Sequence, residues 1–230
     1  GCSTEAVVIK VTPQAQGSSI KSIVNLYSWE EEHFEQQAIN LKRLFFKYKA
    51  RCIAIDANGL GIGLVDYMVK TQIDPETGDT LPPFGVEDGT SEDVSVMYKK
   101  YKTPDTVKDA MYLIKANAPI NTEAHTNVQT QLSSGKIKFL IDETTAKLKL
   151  METKMGQQMT PEKRAEYLMP FTLTTSLREQ MLNLVEDNEG VNIILKQSSR
   201  GTPKDKFSAF EYGMYYIKKE EDRNRKKKKR

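Results

Sequence analysis

Apolar residues at the start of the chain are arranged in the pattern of β-strands. The segment AVVIKVT, residues 6–12, is β-branched and apolar, and IKSIVNLYSW, residues 20–29, alternates between apolar and polar positions. The turn sequence PQAQGSS separates the two. Two strand-like runs joined by a polar turn predict an antiparallel hairpin at the front of the chain.

A helical pattern follows the hairpin. Apolar positions recur every three or four residues, which predicts an amphipathic helix. They are Phe34, Ala38, Leu41, Leu44, Phe45 and Tyr48. Acidic residues at positions 30–32 stand where the positive end of this helix begins, and they favour its start there.

Strands and helices alternate through the rest of the chain. Short apolar runs predict strands at residues 51–56, 110–115, 137–141 and 191–197. Helical patterns cover residues 64–70, 121–132, 142–155, 160–187 and 205–219, the last with Asp205 at its N-cap. Residues 71–108 are polar, contain four prolines and are interpreted as a long loop. This order predicts an α/β fold whose mixed sheet is flanked by helices.

Composition restricts the class of protein. The chain has 230 residues, of which 38% are hydrophobic and 28% charged, which fits one domain or one domain with a tail and excludes a disordered chain. No apolar run reaches the roughly 18 residues that a membrane span needs. Two cysteines, Cys2 and Cys52, form neither a metal motif nor a disulfide framework, so a reducing, cytosolic setting is expected.

The net charge of +3 is unevenly distributed. Residues 218–230 contain nine Lys and Arg against three acids, a net charge of +6, so the other 217 residues carry −3. We therefore divide the chain into a mildly acidic body, residues 1–217, and a basic tail that is disordered or a frayed helix end. Such a tail favours polyanions. A terminus that only improves solubility is the alternative.

The segment IAIDANGLGIGLVDYM, residues 53–68, is a candidate site. Asp56 ends a predicted central strand, and in α/β sheets this end faces the ligand crevice. Gly59, Gly61 and Gly63 allow tight turns or close approach of the backbone. The GxGxG spacing and the position of the acid before the glycines do not match a dinucleotide site. The structural alternative is that Asp56 caps the next helix.

A second candidate segment is RGTPKDKFSAFEY, residues 200–212. Asp205 lies between Lys204 and Lys206 at the start of a predicted helix, where lysines suit phosphate contacts. An ordinary N-cap with solvated lysines is the alternative.

His33 and His125 form no zinc motif, and the chain has no Walker sequence.

Together these two segments resemble the C-terminal nuclease domain of tailed-phage terminase large subunits, which package DNA into a procapsid. The order and spacing of EEHFEQQAINLKRLFFKYKA, MYLIKANAPINTEAH and GVNIILKQSSRGTPKDKFSAFEYG are similar to that family as well. The resemblance covers about residues 5–217. It implies an RNase H-like fold, in which a mixed sheet begins with antiparallel strands. It also implies that the chain is a metal-dependent endonuclease located in the host cytoplasm.

The resemblance also implies a site that holds two Mg²⁺ or Mn²⁺ ions on carboxylates. Asp56 and Asp205 match the family's acids and are expected to be both catalytic residues and metal ligands. Glu211 is a further acid on the last helix, but it would face away from a cation at Asp205. Basic residues are expected to contact DNA phosphates, namely Lys196, Arg200, Lys204, Lys206 and the tail. The expected partners are double-stranded DNA, the terminase ATPase domain, the small terminase and the portal.

This sequence departs from the family at its start. The family's first catalytic aspartate lies on a strand that would precede residues 1–10, and Glu5 is the only acid in that stretch. A divided gene or an excised fragment would explain this, and the chain alone is then expected to cut DNA poorly. Two other hypotheses stay open: a non-catalytic module that binds DNA or the portal, and an RNase H-like resolvase or integrase.

Overall fold

Residues 3–30, 32–59, 61–87, 89–199 and 201–228 are described by the structure, a computed structural model, and they form a mixed α/β fold. The strands are β1 (Ser3–Thr12), β2 (Ile20–Glu30), β3 (Ile53–Asp56), β4 (Gln72–Ile73), β5 (Thr80–Leu81), β6 (Phe84–Val86), β7 (Val107–Ile114), β8 (Ile137–Lys138), β9 (Leu184–Glu189) and β10 (Asn192–Gln197). The helices are α1 (Phe34–Tyr48), α2 (Gly61–Met68), α3 (Glu92–Lys99), α4 (Ala118–Ser133), α5 (Glu143–Met151), α6 (Lys154–Gln158), α7 (Pro161–Leu182) and α8 (Asp205–Lys228). Among these described helices, none has both the length and the apolar character that crossing a membrane demands.

The predicted hairpin at the front of the chain is confirmed. Strands β1 and β2 pair antiparallel from Thr12 opposite Ile20 to Ser3 opposite Glu30, with one irregularity after Val8. Strand β8 adds to β2 in parallel through only two residue pairs. This first sheet therefore mixes antiparallel and parallel pairing in the order β1-β2-β8.

A second sheet is built from parallel strands in the order β3-β7-β6. Strands β3 and β7 run side by side from Ile53 opposite Met111 to Asp56 opposite Ile114. The central strand β7 is buried from Ala110 to Ile114, as expected for a strand covered by helices on both faces. Asp56 therefore lies at the carboxyl end of an edge strand.

The two three-stranded sheets share the same covering helices, which places them in one layer. Val7 and Ile9 of β1 and Ala54 of β3 pack against α8, whereas Ala6 and Ile55 belong to the cluster covered by α1 and α2. No hydrogen bond joins β1 to β3 within the described ranges. Each of these two strands therefore has a neighbour on one side only.

Helix α8 holds the two sheets together. Its buried residues Phe210 and Met214 pack in the cluster under β1, and Tyr215 and Tyr216 pack in the cluster under β3. At Gly213 an added Cβ would lie 2.9 Å from Ile9 Cδ1, so the absence of a side chain lets α8 approach β1 closely.

The prediction of a long loop at residues 71–108 is wrong. The segment contains the short hairpin β4–β5, strand β6 and helix α3, and it leads into β7. Arg43 of α1 pairs with Asp74 and with Glu76, which fixes the turn of the hairpin to the helix. Phe84 and Tyr98 are buried, so the segment contributes to the core although its sequence is polar.

Three further boundaries differ from the prediction. Residues 142–155 divide into α5 and α6, and the helix predicted to end at 187 ends at Leu182 and is followed by β9. The predicted boundary between body and basic tail after residue 217 lies inside α8, which continues to Lys228, so of the two expected forms of the tail a helix end, and not disorder, is present through residue 228. Lys218 and Lys219 pair with Glu123 at 2.8 Å, and Arg223 pairs with Glu87. Acids far away in sequence therefore stabilise the helical form of this segment.

Replacing the buried methionine of α8 tests the role of this helix. Met214 is 0% exposed, so Met214→Ala should lower the free energy of unfolding by about 2–5 kcal/mol. Met155→Ala is the matched control, because Met155 is 54% exposed and its replacement should change stability by about 0.5 kcal/mol or less. Urea unfolding measures both variants. Equal stability of the two would contradict the described packing of α8.

Candidate functional site

Asp56 ends β3 in a tight turn. The backbone amide of Asn58 donates to Asp56 Oδ1 at 2.9 Å, and Gly59 has a φ of +52°. An added Cβ at Gly61 would lie 1.8 Å from the carbonyl oxygen of Asp56. Glycines at both positions therefore let the chain turn sharply, which leaves the Asp56 side chain exposed at the end of the sheet.

The surroundings of Asp56 favour its neutral form. Crowding by the protein removes water from the carboxyl group and raises its pKa, although hydrogen bonds from the backbone and side chain of Asn58 oppose the shift. No basic side chain among the described residues offsets this cost. A carboxylate held at a strand end without a cationic partner is a candidate functional group.

One turn of α8 lies beside Asp56. Burial and then the charge of Asp56 and that of Glu211 raise the pKa of Tyr212, whose hydroxyl donates to Asn121 Oδ1 at 3.4 Å. The phenol of Tyr212 therefore lies between the end of β3 and helix α4. This neighbour of Asp56 was not predicted, because it depends on how α8 crosses the sheet.

Asp205 lies in the first turn of α8 and is exposed. The turn is anchored by two contacts: Gln180 Oε1 accepts from the amide of Phe207 at 3.1 Å, and Lys206 Nζ pairs with Glu5 Oε1 at 3.0 Å. Asp205 is thus presented at a fixed helix start, but it is the first helical residue and not the predicted N-cap, because the amide of Ser208 donates to the carbonyl of Lys204. Neither a hydrogen bond nor an ion pair joins it to Asp56 within the described ranges.

Asp56 and Asp205 have the chemistry of Mg²⁺ ligands but do not complete a site. Both are exposed carboxylates, the oxygen donors that hard divalent cations prefer. In the described part of the chain, no three His, Cys, Asp or Glu side chains converge on one point where an ion would bind.

The basic residues predicted to bind phosphate differ in availability. Lys206 is paired with Glu5, and both side chains are largely buried, at 11% and 5% exposure. Lys196 of β10 pairs with Asp187 of β9 on the exposed face of the hairpin. Lys204 is exposed, and Arg200 lies outside the described residues. Of the three described candidates, Lys204 alone combines exposure with the absence of an acidic partner in the described structure.

Two buried ionisable residues, His125 and Glu211, form a group with the exposed Glu186. His125 of α4 is 8% exposed, and its Nε2 lies 2.9 Å from Glu186 Oε1 of β9. Its Nδ1 lies 3.5 Å from Glu211 Oε1, and Glu211 is 6% exposed. Glu211 therefore faces His125. The sequence did not predict this group, because three distant segments have to meet to form it.

Asp56 is exposed at the end of β3, away from the depression described next. An open depression of about 740 Å³ runs along the end of α4 and is lined by Gln129, Thr130, Leu132, Ser133 and Ser134. None of these lining residues is ionisable, and Asp56 is not among them. The candidate site is therefore an open sheet edge, which suits a large ligand better than a small molecule.

Comparison with protein-family models, with curated proteins and with solved structures finds no match for this chain. The candidate functional residues lie at the end of β3 and at the start of α8. These are the only two places where a predicted acid is exposed at a fixed backbone position in the described structure.

Substituting Asp56 tests whether its charge opposes folding. Because its pKa is raised above the ordinary 3.8, the folded protein loses stability as the pH rises through the pKa of Asp56. Asp56→Asn should therefore be slightly more stable than the parent at pH 7, by less than about 1 kcal/mol because the side chain is exposed. The gain should vanish below about pH 4.

Asp105→Asn is the control for this comparison, since Asp105 is also exposed. Thermal or urea unfolding at pH 7 and at acidic pH gives the two differences. A clear loss of stability at pH 7 in Asp56→Asn alone would show that the carboxylate has a stabilising partner and would contradict the expectation.

Proposed function

We propose that this chain is the metal-dependent endonuclease domain of a tailed-phage DNA-packaging terminase, with an RNase H-like arrangement of its sheet. The observation that carries the proposal is the exposed Asp56 carboxylate, whose pKa is raised, at the carboxyl end of β3. An acid that lacks a cationic protein partner is suited to bind a metal cation, which would remove the cost of its charge.

In this proposal Asp56 and Asp205 hold Mg²⁺ or Mn²⁺. Two such ions would activate the attacking water and stabilise the leaving 3′ oxygen of a phosphodiester. The chain itself fixes one acid at a tight turn after β3 and the other at the anchored start of α8. The double-stranded DNA then binds across an open sheet edge.

The proposal requires a further acid from outside this chain. The free edges of β1 and β3, which share the same covering helices, support a position for an extended segment between them. A carboxylate on such a segment would lie near the end of β3. A chain without it should bind metal weakly and cut slowly.

In this proposal local basic side chains bind the DNA phosphates, and the net charge of residues 1–217 does not contribute. Lys204 and the end of α8, where Lys226 and Lys227 are exposed, have the availability that phosphate contacts need. Arg200 is a further candidate, and Lys196 and Lys206 would first have to leave Asp187 and Glu5. The ATPase domain, the small terminase and the portal remain the proposed protein partners, and the host cytoplasm the proposed location.

A second candidate function is a non-catalytic module that binds DNA or the portal. The absence of a three-ligand cation group from the described residues favours it, together with the basic end of α8. An RNase H-like resolvase or integrase would use the same acids on another DNA substrate. If the chain is a non-catalytic binding module, replacing Asp56 and Asp205 should leave its binding to DNA or to the portal intact.

A plasmid-cleavage assay separates these functions. With Mn²⁺ the chain should cut slowly, and Asp56→Ala and Asp205→Ala should each lower the residual rate about 100-fold or more. Asp105→Ala, a change of another exposed acid, should keep the parent's rate. Unchanged cleavage in both site variants would exclude the catalytic role. Cleavage by the parent at the full rate of a complete nuclease would contradict the need for an external acid.

Salt dependence of DNA binding tests the end of α8. Lys226→Gln with Lys227→Gln should weaken binding, and the slope of log K against log salt should become shallower by about 0.9 for each phosphate that these lysines neutralise. Lys147→Gln with Lys149→Gln is the matched control, since it removes the same charge at exposed positions of α5. Equal slopes for the two double variants would show that the helix end does not touch DNA.

A further inference from the structure

The β9–β10 hairpin is seated on α4 by its inner face. Glu186 is a charged residue on that face, and its Oε1 lies 2.9 Å from His125 Nε2 and also accepts from Gln129. The Thr122 hydroxyl accepts from the backbone amide of Ile193 at 2.9 Å. Polar contacts to both strands therefore join the hairpin to α4: His125 and Gln129 to Glu186 of β9, and Thr122 to the backbone of Ile193 of β10.

The second nitrogen of His125 faces another carboxylate. Its Nδ1 lies 3.5 Å from Glu211 Oε1 of α8. Both atoms are buried and neither has a hydrogen-bond partner in the described structure. The imidazole is thus placed between two acids that come from different elements, β9 and α8.

The protonation state of His125 decides whether this arrangement is favourable. A neutral imidazole has one N–H donor, so one of its nitrogens would direct a lone pair at a carboxylate. An imidazolium has two donors and can serve both Glu186 and Glu211. Since Glu211 is 6% exposed, a neutral His125 would also leave a buried carboxylate without a counter-charge.

We propose that His125 is a charged latch: in its protonated form it holds the β9–β10 hairpin, through Glu186, and the Glu211 turn of α8 against α4. Loss of the proton releases the hairpin from α4. The His125 latch, meaning His125 with Glu186 and Glu211, is a property of the fold and does not depend on the proposed cleavage of DNA.

The groups around His125 favour its protonated form, so that the imidazole keeps its proton to a higher pH than usual. Among the described residues the charged groups that face it are Glu186 from β9 and Glu211 from α8, while α4 adds the Gln129 amide and α8 adds the Phe207 ring at 6.3 Å. Burial alone would lower the pKa of His125, but the two glutamates together outweigh it and raise the pKa above the ordinary 6.5. The stabilisation is therefore complete below about pH 6.5 and is lost as the pH rises through the folded pKa.

The latch and the candidate acidic site share one turn of α8. Glu211 contacts His125, and the next residue, Tyr212, lies beside Asp56. Loss of the contact between His125 and Glu211 would remove one of the interactions that hold this turn of α8 in place. If the proposed nuclease function holds, the latch thus controls how rigidly that side of the site is held.

Hydrogen exchange of the full chain across pH tests the proposal. After correction for the intrinsic pH dependence, amides of residues 184–197 should be about tenfold less protected above the pKa of His125 than below it. In His125→Gln the hairpin amides should be weakly protected from exchange at every pH, and their protection should not change across the pKa of His125. His33→Asn is the matched control, because His33 is exposed at the N-cap of α1, where Asn can keep the capping contact to Glu35.

Imidazole NMR titration gives a second readout. The chain has only two histidines, so His33→Asn leaves the signal of His125 alone. His125 should titrate above the ordinary imidazole pKa of 6.5, and Glu186→Gln should lower the pKa of His125 and loosen the hairpin without changing exchange in β3 and β7. Glu186 is 45% exposed at its side chain, so this variant keeps the proposal testable even where His125→Gln does not fold.

Two outcomes would overturn the latch. One is a hairpin in His125→Gln, or in Glu186→Gln, with the parent's protection and the parent's pH dependence. The other is a His125 that titrates at or below the ordinary imidazole pKa of 6.5. Neither readout involves DNA or metal, so failure of the nuclease proposal would leave these results unaffected.

Discussion

Helix α8 is the element on which the arrangement of this fold depends. The two three-stranded sheets share no hydrogen bond in the described part of the chain, so backbone pairing does not fix one sheet relative to the other. Instead, apolar side chains of one helix are buried against both. Because packed interiors tolerate little change in shape, this shared packing sets the spacing between β1 and β3. It also sets the position of Asp56 relative to the start of α8.

Ion pairs supplement this packing at both ends of the helix. Lys206 in the first turn pairs with the buried Glu5 of β1. Near the other end, Glu221 pairs at 3.0 Å with Lys21 of β2, which is 1% exposed, and accepts from the backbone amide of Ser19. A buried charge without its partner would be costly, so these pairs restrict α8 to one register along the sheets.

The parts of this fold that the sequence predicts well are those with a strong local pattern. The hairpin at residues 6–29 and the helix from Phe34 follow from apolar periodicity, and Asp56 follows from a strand that ends before three glycines. The hairpin β4–β5 has two residues in each strand, too few for a period, and its position depends on an ion pair with Arg43. Strand β9 has the polar sequence LVEDNE and is recognisable only through its partner β10. The charge count at the end of the chain likewise could not decide between a disordered tail and a helix end, because Glu123 and Glu87, which pair with this segment, are distant in sequence.

The anchored helix α8 has a mechanical consequence. With 24 residues it is about 36 Å long, and it is tied to the sheets near both ends. A force applied at its exposed basic end, by a polyanion for example, would first load the pairs to Glu123, Glu87 and Lys21. The helix would then pass the load along its axis, as a stiff rod does, toward Asp205. Because these pairs and the apolar packing hold α8 in one register, the sheets would share that load before it reached Asp205.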